Sequence, residues 1–100
     1  MRVRWSLLAL QRVAEIVDYI SGDRPEAARD WAARLFDVVD RVAGFPDQGR
    51  VVPEVGRPSI REVIYGEYRI IYKVEAKAIG ILTVRHGRRR LEPRELRFRR

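Results

Sequence analysis

Apolar positions along this chain change their period several times, and each change marks an element. Residues 2–5 alternate, with Val3 and Trp5 on one side, which predicts a short strand. Ser6 follows as a candidate N-cap, because its hydroxyl can accept from an unpaired N–H in the first turn of a helix. Leu10, Val13, Val17 and Ile20 then recur at three- and four-residue spacing, with Ala14 and Ile16 widening the stripe, and Gly22 is the natural stop. A second helix is predicted to open at Asp23-Arg24-Pro25-Glu26. Proline suits the first helical position, and Glu26 complements the positive end of the helix. Its apolar stripe is Trp31, Leu35, Val38 and Val42, flanked by Ala28, Ala32 and Val39, and Gly44 and Pro46 end it. Two amphipathic helices joined by about three residues pack as an antiparallel hairpin.

Residues 45–58 are rich in proline and glycine and read as a loop, with an extended stretch at Val51-Val52. Three strand-like runs follow. Ser59–Tyr65 alternates, and Gly66-Glu67 turns the chain. Tyr68, Ile70, Tyr72 and Val74 share one face of the next run, opposite Arg69, Ile71 and Lys73. After a short loop at 75–78, Ile79–His86 completes the set. Connections this short require an antiparallel meander. The expected fold is therefore α+β: an antiparallel sheet made of the N-terminal strand and a C-terminal three-strand meander, covered on one face by a two-helix hairpin. One hundred residues fit a single domain, 1–100, with a basic tail from about residue 87.

Composition adds two constraints. With no cysteine and one histidine, the chain has no disulfide framework, no thiolate nucleophile and no zinc site built from His and Cys. That usage fits a cytoplasmic protein, and no apolar run reaches the roughly 18 residues of a membrane span. The second constraint is where the charge lies. Of the formal +7, almost all falls in the last sixteen residues, which hold eight arginines against Glu92 and Glu95, while the first 84 residues are nearly balanced. Genome composition explains arginine in place of lysine, but it does not explain the clustering. A basic segment of this kind attracts phosphates or an acidic protein partner. Because the strand pattern ends at His86, removal of residues 91–100 is expected to spare the core.

Two residues stand out as chemistry. Arg69 lies in mid-strand on the face opposite Tyr68, Ile70 and Tyr72. If the helices cover that latter face, its guanidinium projects from the uncovered side, where it either holds a phosphate or carboxylate or pairs with Glu62 or Glu67. His86 is the one side chain whose ordinary pKa lies near neutrality, although a lone histidine is more often structural than catalytic. There is no phosphate-binding glycine loop and no paired-acid motif, and no cofactor is expected.

Several segments, in order, resemble toxins of the RelE/ParE superfamily, the toxin half of type II toxin–antitoxin systems. They are Val3-Arg4-Trp5-Ser6, Glu15-Ile16-Val17-Asp18-Tyr19-Ile20, Pro46-Asp47-Gln48-Gly49-Arg50, Ile60-Arg61-Glu62, Tyr68-Arg69-Ile70-Ile71-Tyr72 and Val84-Arg85-His86-Gly87-Arg88-Arg89. The resemblance implies an acidic antitoxin as partner and a hetero-oligomer with it. It also implies one of two activities. RelE-like members are ribosome-dependent mRNA endonucleases, and ParE-like members inhibit DNA gyrase and serve plasmid stabilization. Arg69 corresponds to the sheet arginine of the nuclease branch, and Arg88 or Arg89 to its second basic position. Where nucleases place an aromatic residue or histidine, this chain reads Arg90-Leu91-Glu92-Pro93. The ParE-like branch is therefore favoured, with Arg69, Arg88, Arg89, Arg90, Arg94 and Arg97 as target-binding candidates. The alternative nuclease would use Arg69, His86 and Arg89. A basic nucleic-acid-binding module without toxicity is a third reading.

Overall fold

A computed structural model describes residues 1–99. Strand β1 (Arg2–Trp5) leads into α1 (Leu7–Ser21) and α2 (Pro25–Gly44). A 3-10 turn at Pro46–Gln48 precedes β2 (Arg50–Val51), β3 (Ile60–Tyr65), β4 (Tyr68–Val74) and β5 (Ala78–His86), and a second 3-10 turn spans Pro93–Leu96. The strands form one sheet in the order β1-β5-β4-β3-β2. The α+β class, the helical hairpin and the meander are as the sequence pattern requires. The sheet is mixed rather than wholly antiparallel, because β1 pairs with β5 in parallel. The hairpin between β1 and the meander is a long crossover, and that allows a parallel neighbour.

Ser6 joins the sheet to the first helix. Its hydroxyl accepts from the Ala9 N–H at 3.0 Å and donates to the Leu82 carbonyl at 2.9 Å, so the cap of α1 is fastened to β5. Ala9, fully buried, sits at this close approach beside Val13. Leu10, expected in the core, points outward and is 47% exposed. One step along a helix rotates about 100°, so a seam centred on Ala9 excludes its neighbour. On α2 the seam is Ala28, Leu35, Val39, Val42 and Ala43, with Trp31 packed against the rings of Tyr65 and Tyr68.

The helices cover the sheet face that carries Ile70, Tyr72, Ile79, Ile81 and Val84. Ile79, Ile81 and Val84 do not keep a strict alternation. Tyr72 pairs with Ile81 but Ile71 pairs with Thr83, so Leu82 is an extra residue in β5. Such a bulge shifts every later side chain to the other face. It turns Val84 and His86 toward the helices. It also places Arg85 opposite Arg69.

The second face is covered as well. Val52, Ile60, Ile71 and Leu82 form a smaller core beneath Val55, Leu91, Leu96 and Phe98. A Cβ at Gly80 would stand 2.8 Å from the Phe98 ring, so glycine there lets the C-terminal segment lie directly on β5. The Leu7 N–H donates to the Arg99 carbonyl at 2.8 Å, which ties that segment to the start of α1. The expectation that residues 91–100 are dispensable to the core is therefore wrong. Apolar residues spaced among arginines cover a sheet face that the hairpin cannot reach (Arg100 lies outside the described residues).

Candidate functional site

Arg69 is not a free guanidinium. Its Nη atoms donate to both oxygens of Glu54, at 2.8 and 2.9 Å, and its Nε donates to Glu62. Glu62 is buried and also accepts from Arg50 Nε at 2.6 Å. The side chain of Arg69 is only 9% exposed. Hydrogen bonding to Arg69 holds the Glu54 carboxyl below its ordinary pKa, and the two acids raise the pKa of Arg69 further. Of the alternatives open in the sequence, the structure contains the ion pair with Glu62. It adds Glu54, a loop residue that no strand pattern marks, and it places Glu67 elsewhere.

Glu67 and His86 lie on the helix side, Glu67 in the turn before β4 and His86 at the end of β5. His86 Nε2 is 3.7 Å from Glu67, and its ring meets Tyr68 edge-on at 5.6 Å between centroids. Nδ1 accepts from the Arg88 N–H at 3.2 Å, while the His86 carbonyl accepts from the Arg89 N–H at 3.0 Å. The imidazole thus shapes the turn that carries Arg88, Arg89 and Arg90, all exposed. An open cleft of about 460 Å³ runs beside it, between α1 and the end of β5, with Arg12, Tyr19, Tyr68, Arg85, His86 and Arg89 in its walls.

The structure therefore brings His86 and Arg89 together and leaves Arg69 on the opposite face of the sheet. Arg94 and Arg97 are exposed on the docked C-terminal segment, and Arg94 pairs with Glu92 at 2.9 Å. Sequence reasoning passed over Arg12, Tyr19 and Glu95. Glu95 is fully buried, accepts from Thr83 Oγ1 at 3.1 Å and from the Glu92 N–H at 2.9 Å, and lies 3.6 Å from the Nε atoms of both Arg12 and Arg85. The signal for Glu95 was an acid set among arginines near an apolar pair, a pattern too short to separate from solvated surface. Among the described residues no cluster of acids and histidine is arranged to hold a metal ion, and no helix is long and apolar enough to cross a membrane.

A two-helix hairpin on a five-stranded sheet is the fold of a small toxin of the RelE/ParE type. The model for the ParE toxin of the type II toxin–antitoxin system parDE matches residues 3–91, and the chain belongs to that family. It is 40% identical over 89 residues to "Putative toxin Y4kP" of Sinorhizobium fredii, which covers 86% of this chain and 88% of that protein. It is 34% identical over 89 residues to "Toxin RelE2" of Caulobacter vibrioides, covering 88% of this chain and 97% of that protein. A solved chain of the chromosomal ParDE toxin–antitoxin system from P. aeruginosa shares the fold. Its TM-score is 0.71 at 22% identity, over 86% of this chain and 95% of that one.

Proposed function

We propose that this toxin acts by binding DNA gyrase, without cutting RNA, and that an acidic antitoxin neutralises it. The observation that carries this reading is the separation of Arg69 from His86. Cleavage of RNA by its own 2′-hydroxyl needs a charge-stabilising group and a proton carrier at one phosphate. Here the sheet arginine is saturated by Glu54 and Glu62, and the bulge at Leu82 turns the histidine to the far face. No tyrosine or histidine follows His86 to take its place. A toxin that acts by contact requires only a rigid, charged surface, and Arg88, Arg89 and Arg90 provide one. An excess of basic charge also favours capture by an acidic segment that folds as it binds.

One observation favours the nuclease: His86 and Arg89 share the helix-side cleft. The purified toxin, added separately to a DNA supercoiling reaction and to a translating extract, tests the choice. Inhibition of supercoiling with intact mRNA is the expected result. Codon-spaced mRNA cuts with normal supercoiling would overturn it.

A further inference from the structure

The cleft beside His86 has features that contact with a protein target does not require. Arg12 from α1 and Arg85 from β5 converge on it with Arg89 from the following turn. Three guanidiniums in one small volume repel one another unless something is set among them. That element is Glu95, brought from behind by the C-terminal 3-10 turn and placed 3.6 Å from both Arg12 and Arg85. Neither arginine spends its Nε on a hydrogen bond, since both atoms are buried and without one among the described residues. Glu95 thus sets the position of the pair from the Nε side. One Nη of each is engaged at long range, Arg12 Nη1 by Glu15 at 3.5 Å and Arg85 Nη2 by the Arg90 carbonyl at 3.4 Å, and the other Nη of each has no protein acceptor among the described residues. Arg89 has no ion pair among the described residues. The ring of Tyr19, from α1, also lines the cleft and is 83% exposed. Guanidiniums in fork geometry suit a phosphate, and an exposed ring beside them suits a base.

We propose that the cleft between α1 and the end of β5 binds the phosphate of a nucleotide through Arg12, Arg85 and Arg89, with the base stacked on Tyr19. Its volume, about 460 Å³, lies in the range of small-ligand sites. Glu95 acts here as a positioning residue. The acids Glu15, Glu67 and Glu92 oppose the anion, but all three are exposed. Their contacts, 3.5 Å to Arg12, 3.7 Å to His86 and 3.6 Å to Arg85, are long. The same chemistry comes from a free nucleotide or from a single-stranded DNA backbone, and the two differ in whether neighbouring phosphates add affinity.

The test uses the purified full chain without gyrase, so its outcome is independent of the target proposed above. Binding of inorganic phosphate, deoxyadenosine monophosphate and a ten-nucleotide single strand is followed by amide shifts at constant ionic strength. The monophosphate should bind more tightly than phosphate. Arg89→Gln and Arg12→Gln should each weaken it by tenfold or more, whereas Arg29→Gln on the exposed face of α2 should leave it unchanged. Tyr19→Ala should abolish the advantage of the nucleotide over phosphate, and Glu15→Gln should tighten both several-fold. Arg89 is exposed, so its variant keeps the experiment decisive if Arg12→Gln fails to fold. A strand that binds better than the monophosphate identifies the backbone as the source, and equal affinity identifies the free nucleotide. Equal weakening by Arg29→Gln and Arg89→Gln, or no preference for the nucleotide over phosphate, would overturn the proposal.

Discussion

Gly49 and Arg69 show how little of a side chain's role follows from its type alone. The Gly49 N–H donates to the Tyr72 hydroxyl at 3.0 Å, and that hydroxyl donates to the Pro46 carbonyl at 2.7 Å. A Cβ at Gly49 would collide with the same hydroxyl and would stand 2.6 Å from the Glu62 carbonyl, so the loop's closeness to β4 excludes alanine. Gly49→Ala should destabilise by about 1–3 kcal/mol, the range for overpacking, measured by urea denaturation. Arg69 is the stronger case. Its removal leaves Glu62 buried with Arg50 alone, and breaking a buried pair costs about 3–5 kcal/mol. Arg69→Ala should therefore lose toxicity by unfolding, visible as a lower denaturation midpoint. A fully stable but inactive variant would restore Arg69 as a direct contact. The acid partner sets a pH dependence. Glu54 has its folded pKa depressed by Arg69, so its contribution is present above the ordinary carboxylate pKa and is lost as pH falls through the lowered folded value. Glu54→Gln should flatten the acid side of the stability curve, and an unchanged acid limb would argue against the pair.

At the scale of elements, the C-terminal segment departs furthest from expectation. Leu91, Leu96 and Phe98 cover Ile71 and Leu82, and Glu95 faces two arginines. A chain ending at Arg90 would expose that apolar face and strand both guanidiniums. It should unfold at markedly lower urea than the full chain, and an unchanged midpoint would return the segment to solvated surface. Gly80→Ala should have a milder form of the same effect, because the new methyl must displace the Phe98 ring. The helices, their caps and the meander were legible because each rests on local rules: a period of 3.6 or 2, a serine before the first turn, a proline at N1. The pairing of Arg69 with Glu62 was legible only as one of the alternatives left open, beside Glu67 and a bound phosphate, and the observed register shows why it is the one formed. A two-residue turn at Gly66-Glu67 fixes the register in which Ile64 faces Arg69, and Glu62 then lies two positions along on the same face. Glu54 was not legible, because it comes from a loop whose path is fixed by tertiary contacts. Nor was the bulge at Leu82, since one extra residue leaves the run 79–86 reading as an ordinary strand. The docked segment was hidden by its composition, in which arginines outnumber the three apolar residues that anchor it.

The whole molecule is organised by a row of charge that crosses the second face and wraps around its edge. Arg50 on β2 meets Glu62 on β3, Glu62 meets Arg69 on β4, Arg69 stands opposite Arg85 on β5, and Glu95 joins Arg85 to Arg12 on α1. Directly opposed like charges destabilise a sheet. Here each arginine of the opposed pair has carboxylates of its own, Glu54 and Glu62 on one side, Glu92 and Glu95 on the other. The row therefore ties β2, β3, β4, β5 and α1 together, and on the proposed reading it occupies the sheet arginine that a nuclease would need on that face. On the reading proposed above, a target would be met by the turn after β5, where Arg88, Arg89 and Arg90 are exposed and shaped by His86, with Arg94 and Arg97 exposed on the neighbouring segment.

That division of labour yields a decisive pair of variants. If the toxin cleaved RNA, His86 would be the proton carrier available on the helix side, and loss of such a group lowers a rate by about 10²–10⁴. His86→Gln would then abolish toxicity. If the toxin binds gyrase, no proton moves through it, and His86→Gln should remain toxic with a DNA-damage response and continuing translation. Charge reversal at Arg88 and Arg89, two exposed positions outside the buried row, should instead relieve growth inhibition while leaving the denaturation midpoint in place. Growth assays on both variants, with a reporter of DNA damage and a measure of protein synthesis, separate the outcomes. A harmless His86→Gln protein that folds normally, together with a toxic Arg88→Glu protein, would reverse the assignment and place the chemistry in the cleft that His86 shares with Arg89.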